Sequence, residues 1–195
     1  MPRSAPGETG SHGRICIGLT GPNASGKGEV ALFLSEKGFT SYSLSDIVRE
    51  EATARHLDHS RDHLIHTGTA LRAEFGDGVL AERILPRLGG RSVVDSIRNP
   101  GEIRALRRLA GFRLLGIDAP VELRFERSRL RGRRGDGGTL EDFRSKESRE
   151  RADHGPGQQL DVCLSMADTI IQNDAALADL RLRVAAALAK LGVSL

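Results

Sequence analysis

Short apolar runs alternate with amphipathic stretches along the 195 residues. The first, RICIGLT before Gly21, is rich in β-branched residues and almost wholly apolar, as expected of a strand buried on both faces. After a Gly-rich turn, Val30, Leu32, Phe33 and Leu34 predict a helix ending near Gly38. FTSYSL reads as a second strand. From Asp46 to about Leu88 the pattern is helical, with breaks expected near Gly68 and at FGDG, and with Pro86 close to its end. RSVVDSI supplies a third strand. Asn99 and Pro100 then open a helix, because Asn caps well and Pro suits the first helical position. FRLLGIDAP is a fourth strand and Val121 to Arg131 a helix. Thr139 caps another helix running to Arg151, with Glu141 and Asp142 in its first turn. DTIIQND makes a fifth strand before a closing helix from Ala175 to Leu191. Strands separated by helices define an α/β fold with a parallel sheet covered on both faces, whose ligands gather beyond the carboxyl ends of the strands.

The length suits one α/β domain and is too short for two ordinary ones. The opening MPRSAPGETGSHG is Pro, Gly and Ser rich and lacks the apolar core of a secretory signal, so residues 1–13 are expected to be a loose tail and residues 14–195 the domain. No apolar run approaches the roughly 20 residues needed to span a bilayer, which sets a membrane role aside. Cys16 and Cys163 are far apart in the chain and suggest neither a disulfide framework nor a zinc pair. A reducing, cytoplasmic setting is the expectation. The formal net charge is only +3, but the 29 basic residues comprise 25 Arg and 4 Lys. Arg124, Arg127, Arg129, Arg131, Arg133 and Arg134 crowd one stretch opposed only by Glu126. Such a cluster suits phosphate or nucleic acid, or is simply a solvated helix face.

Gly21 to Lys27, GPNASGK, satisfies G-x-x-x-x-G-K between a strand and a helix, the context that makes this motif meaningful. Amides wrapped around a phosphate must all point inward, and residues without a Cβ reach the dihedrals this requires. Gly21 and Gly26 supply that freedom, with Asn23, Ala24 and Ser25 between them. The helix starting near Gly26 adds unpaired N–H groups and its positive dipole end, and Lys27 reaches the outer phosphates. Gly28 stands where a Ser or Thr usually offers its hydroxyl to Mg²⁺. Glu29 would repel phosphate if it faced inward, so it is expected to point away.

A GKG loop is similar to that of adenylate kinases and other nucleoside-monophosphate kinases, which hold the metal largely through water and substrate phosphates; Glu29 replaces their usual Thr. SLSDIVRE resembles their G-D-x-L-R segment. That resemblance implies that Asp46 sits at the mouth of an acceptor site and that Arg49 clamps the acceptor phosphate. From the residues alone, a capped helix start with an i to i+3 ion pair is the alternative, and both can hold together. VVDSIRNPGE resembles their D-G-F-P-R stretch, with Asp95 and Arg98 one residue closer together. Asp95 would hold waters around Mg²⁺ and Arg98 would bridge acceptor and transferred phosphates, or stand as an ordinary loop Arg. Arg72, in TGTALRAEFG, would reach the acceptor phosphate or pair with Glu74 or Asp77.

RFERSRLRGRRGDGGTLEDF occupies the place of the mobile lid in these kinases. Arg127, Arg131, Arg133 and Arg134 would then close over the γ-phosphate, where positioned cations supply most of the catalysis. ADTIIQND with LADLRLRV is similar to the last strand and helix of dephospho-coenzyme A kinases, which would make Asn173 an adenine contact. Residues 14 to 192 as a whole resemble little-characterised kinases between these two groups. The resemblance implies a five-stranded sheet in the order 2-3-1-4-5, a helical acceptor-binding region near 44–88 and a lid near 127–140. It implies ATP and Mg²⁺ as cofactors and a small nucleotide as acceptor, with Lys27, Asp46, Arg98 and Arg131 as the catalytic set. The alternatives are a hydroxyl acceptor of the dephospho-coenzyme A type, with Asp46 as base, and a nucleotide-binding switch or a nucleic-acid-associated protein without small-molecule transfer. His59, His63 and His66 have helical spacing but no Cys or carboxylate to complete a zinc site, and Ser25 and Asp118 lack the partners of a hydrolase triad. The oligomeric state is left open.

Overall fold

The computed structural model describes residues 14–132, 138–152 and 157–195, with the side chains of 149–152 excepted. The N-terminal tail, Arg133 and Arg134 lie outside the described residues.

Five parallel strands form one sheet in the order β2-β3-β1-β4-β5. They are β1 Ile15–Thr20, β2 Thr40–Ser43, β3 Arg91–Ile97, β4 Phe112–Asp118 and β5 Thr169–Gln172. The central β1 pairs with both β3 and β4, and its apolar run is buried because helices lie on both faces. Period two sorts its side chains: Ile17 and Leu19 join one core, with Val93, Leu115, Ile117 and Ile171. Helix α1, Lys27–Glu36, closes that face with Val30, Phe33 and Leu34, and α9, Leu177–Lys190, with Leu180, Val184 and Leu188. Cys16, Val94, Ile97 and Leu114 point the other way into a second core.

The second core is built by α2 Leu44–Ala54, α3 Arg61–Phe75, α4 Val79–Ile84, α5 Pro100–Leu106 and α8 Leu160–Ser165. The break expected near Gly68 is not there, since α3 runs straight through that residue. The chain instead turns at 55–60, where His56 takes a left-handed φ of 57° and the Ser60 hydroxyl accepts from His63 N to cap α3. Helix α8 lacks a clear pattern in the sequence because it is short; Leu160 and Cys163 are its buried residues. Helix α6, Val121–Arg131, and α7, Leu140–Ala152, are joined by Arg124, which meets both Glu147 carboxylate oxygens at 2.5 and 3.0 Å. No helix among the described residues is long and apolar enough to cross a membrane.

One irregularity falls at the business end of the sheet. The pairing of β1 with β3 shifts register between Gly18 and Thr20, so that three residues of β3 span two of β1. Ser96, inside this bulge, has φ 65°, an uncommon conformation for a residue with a Cβ. Asp95 accepts from Ser96 N at 2.5 Å and helps hold it there.

Candidate active site

The loop between β1 and α1 has the shape its sequence predicts. Gly21 and Gly26 take φ of 144° and 106°. At Gly26 a Cβ would lie 2.2 Å from Asn173 Nδ2, and at Gly21 2.0 Å from the Ile117 carbonyl oxygen, so both positions exclude any side chain. Ala24 also has a left-handed φ, 58°, which tightens the loop. Lys27 Nζ donates to the carbonyls of Gly21 and Pro22 at 2.8 and 2.9 Å, folding the side chain back along the loop it begins. Ser25 Oγ is enclosed with no hydrogen-bond partner. Gly28 has open space where a Cβ would stand, and Glu29 is exposed, as expected of a carboxylate that avoids phosphate.

Two other segments close on this loop. Asn173, after β5, donates Nδ2 to the Ser25 carbonyl at 2.8 Å, and its own N–H bonds Asp118 O at 2.7 Å. One N–H of its amide is therefore given to the loop backbone. From α6, Arg131 Nη2 meets Asn23 Oδ1 at 2.9 Å and Arg127 Nη2 approaches Asn173 Oδ1 at 3.4 Å. Arg127 Nη1 is enclosed without a partner, and burial holds its guanidinium below the ordinary arginine value. An unpartnered buried hydroxyl and an unpartnered buried guanidinium nitrogen at the Gly-rich loop fit an anion with several oxygens.

A cleft of about 490 Å³ opens from the loop toward α2 and α3. Asn23 of the loop lines it. Arg49, Arg61, Arg72 and Arg98 line it together with Ser45, Ser96 and Gln158, and Leu44, Val48, Leu64, Ile65 and Leu80 form an aliphatic wall. Three of the five residues expected at an acceptor site, Arg49, Arg72 and Arg98, thus share one cavity. Asp46 does not line it: its side chain is 61% exposed and is paired with Arg49 Nη1 at 2.5 Å, the i to i+3 pair foreseen as the plainer reading. Asp95 lies near the end of β3, where its carboxylate accepts from Ser96 N, and is not among the residues lining the cleft. Arg72 pairs with neither Glu74 nor Asp77. It is buried and bonds Glu102, because α3 lays it against the start of α5.

Glu102 was not singled out from the sequence, although Asn99 and Glu102 stand at capping-box spacing. The box is complete: Asn99 accepts at Oδ1 from Gly101 N at 2.8 Å, and Glu102 Oε2 from Asn99 N at 3.1 Å. Nothing in the local pattern marked Gln158, whose Oε1 accepts from Arg98 Nη1 at 2.8 Å. Of the three histidines, His63 pairs with Asp58 and His59 with Thr53, and no group of three or more His, Cys, Asp or Glu among the described residues is placed to hold a metal ion.

A P-loop on a 2-3-1-4-5 parallel sheet, with an arginine-lined cleft at the carboxyl edge, has the architecture of the small-molecule P-loop kinases. A shikimate kinase from Aquifex aeolicus superposes with a TM-score of 0.57 at 16% identity, over 91% of this chain and 98% of that one. TT1252 from Thermus thermophilus does so with 0.60 at 24% identity, over 92% and 98%. At these identities the likeness establishes the fold. In sequence, a UPF0200 protein of Pyrococcus abyssi is 34% identical over 169 residues, covering 82% of this chain and 88% of the relative. The chain belongs to the UPF0200 family. No protein-family model matches it.

Proposed function

We propose that the chain is an ATP-dependent phosphotransferase that moves the γ-phosphate of ATP onto the phosphate of a small nucleotide, a nucleoside or deoxynucleoside monophosphate. The observation that carries this reading is that Asn23 of the phosphate-binding loop lines the same cleft as Arg49, Arg72 and Arg98. Donor and acceptor anions would meet there, the proximity that in-line transfer requires.

The loop amides and Lys27 would hold the β- and γ-phosphates, with the enclosed Ser25 Oγ and Arg127 Nη1 as further donors. Arg131 would leave Asn23 for the γ-phosphate. Mg²⁺ would neutralise charge on the β- and γ-oxygens. Since Gly28 brings no hydroxyl, the ion would be held by water and substrate oxygens, with Asp95 as the carboxylate that orders those waters. Arg49, Arg72 and Arg98 would clamp the acceptor. The region near 44–88 is then the acceptor-binding arm and that near 127–140 the lid. A phosphate acceptor brings an oxygen that is already anionic and needs no base. A hydroxyl acceptor does need one, and the exposed, ion-paired Asp46 is poorly set for that task, which favours the monophosphate over the dephospho-coenzyme A type of acceptor.

The test is ADP release from ATP and Mg²⁺ across ribo- and deoxynucleoside monophosphates and dephospho-coenzyme A, with Lys27→Ala alongside. Release with a monophosphate, lost in the variant, is expected. ATP binding without transfer to any acceptor would instead support a nucleotide switch, and steeply salt-dependent binding to RNA or DNA a nucleic-acid role.

A further inference from the structure

Glu102 has no part in the transfer outlined above, yet it is fully enclosed and is the only acidic side chain counted as buried among the described residues. Resting on the kinase reading of the cleft, we propose that Glu102 is the positioning residue that presets Arg72 and Arg98 for the acceptor's anionic group. Its two oxygens are divided between them. Oε1 accepts from Arg72 Nε and Nη2 at 3.0 and 2.8 Å, which fixes the plane of the guanidinium. The remaining Nη1 faces Gly68, where a Cβ would lie 3.5 Å from it, and both residues line the cleft. Oε2 accepts from the backbone N–H groups of Arg98 and Asn99 at 2.8 and 3.1 Å. That bond anchors the main chain from which the Arg98 side chain enters the same cleft.

A capping box accounts for the bond to Asn99 alone and works at an exposed helix start with either Glu or Gln. It does not require a second oxygen bonded to an arginine on another helix. Burying a carboxylate–guanidinium pair is no better for stability than packing apolar groups in its place. It does order a long side chain whose rotamer freedom would otherwise be lost when the acceptor binds. Glu102 thus joins the α3 wall of the cleft to its β3–α5 wall at one point, and both arginines face the acceptor already in place.

The experiment titrates the full chain, saturated with Mg²⁺ and the β,γ-imido analogue of ATP, with the four ribonucleoside monophosphates and with inorganic phosphate by calorimetry. Wild type, Glu102→Gln and Arg72→Lys are compared, and affinity for the ATP analogue is measured on each. Glu102→Gln should weaken acceptor-anion binding roughly tenfold or more while changing affinity for the ATP analogue less than about twofold. Equal weakening of both ligands, the mark of a merely structural role, would overturn the proposal, as would unchanged acceptor binding. Should Glu102→Gln fail to fold, Arg72→Lys, which keeps the charge but loses the fork, must produce the same selective loss. A wild-type protein that binds none of the probes would remove the acceptor reading and this inference together; a binding wild type with an indifferent Glu102→Gln removes the inference alone.

Discussion

Asn173 and Ser25, 148 positions apart, are joined by a bond of 2.8 Å from the Asn173 amide to the Ser25 carbonyl. The last strand of the sheet thereby holds the loop that follows the first. The left-handed Gly26 lies directly against that amide, so the loop's curl and the Asn173 side chain fit only each other.

Asn173→Asp replaces the donor with an oxygen facing the Ser25 carbonyl and should cost ATP affinity about 1–3 kcal/mol, the range for an unsatisfied buried polar group. A fluorescent ATP analogue titrated against wild type and variant measures it. An affinity within experimental error of wild type would mean that the loop holds its shape without Asn173.

Gly68 is a helical residue with a vacant side-chain position on the cleft. An added Cβ meets Arg72 Nη1 and Val48 at ordinary contact distances of 3.5 Å, so Gly68→Ala fits. Alanine should stabilise α3 by roughly 0.5–1 kcal/mol through helix propensity, a rise of about 2–4 °C in Tm at most. Gly68→Leu must extend into the cleft and should raise the acceptor KM while leaving the ATP KM unchanged. If both KM values stay at wild type with leucine in place, the cleft is not the acceptor site.

Arg124 and Glu147 are 3% and 11% exposed, and their paired bonds connect α6 to α7. Glu147→Ala leaves a buried guanidinium short of its partner and should lower the unfolding free energy by about 3 kcal/mol or more. Denaturant unfolding of the two proteins at pH 7 reads the difference directly. Because Arg124 also reaches the Asn23 carbonyl, at 3.5 Å, the variant should bind ATP less tightly as well.

Burial pushes the Cys16 thiol up to about 12, and burial, with the Glu102 carboxylate adding to it, does the same for Cys163. Both should resist alkylation in the native chain at pH 8 and react once it is unfolded. The linkage has a definite sign. A folded-state value above the unfolded one means that the thiols contribute their stability fully below the unfolded value of about 8.5, and that this stability declines as pH rises beyond it. The denaturant midpoint should therefore fall from pH 8 to pH 10, and less steeply in a Cys16→Val, Cys163→Ala variant.

The strands, most helices and the phosphate loop were legible in the sequence because their signals are local. Gly21, Gly26 and Lys27 announce themselves by spacing, and β1 by its apolar run. The strand order required the kinase resemblance, since hydrophobic period says which residues are buried but not which strand lies beside which. Gly68 misled because glycine lowers helix propensity, whereas tertiary packing carries α3 through it. Arg72 was recognised as a cleft candidate, but its partner is 30 residues away and belongs to another helix. The same distance problem concealed the Asn173 bond to the loop, and the Ser96 bulge has no glycine to betray its left-handed backbone.

The placement of β1 has a consequence for how the molecule comes into being. Ile17 pairs with Val93 on one side and Arg113 on the other, so β1 has no neighbour until the third strand has been made. Pairings this distant in sequence are slow to close, because chain entropy is lost long before contacts repay it. The phosphate loop acquires its Asn173 support later still, from beyond the fifth strand. During synthesis the segment carrying Gly21–Lys27 precedes the strands and the Asn173 side chain that support it, so competence to bind nucleotide would come late. A fragment ending before β5 should accordingly lack that competence, however much of the sheet it contains.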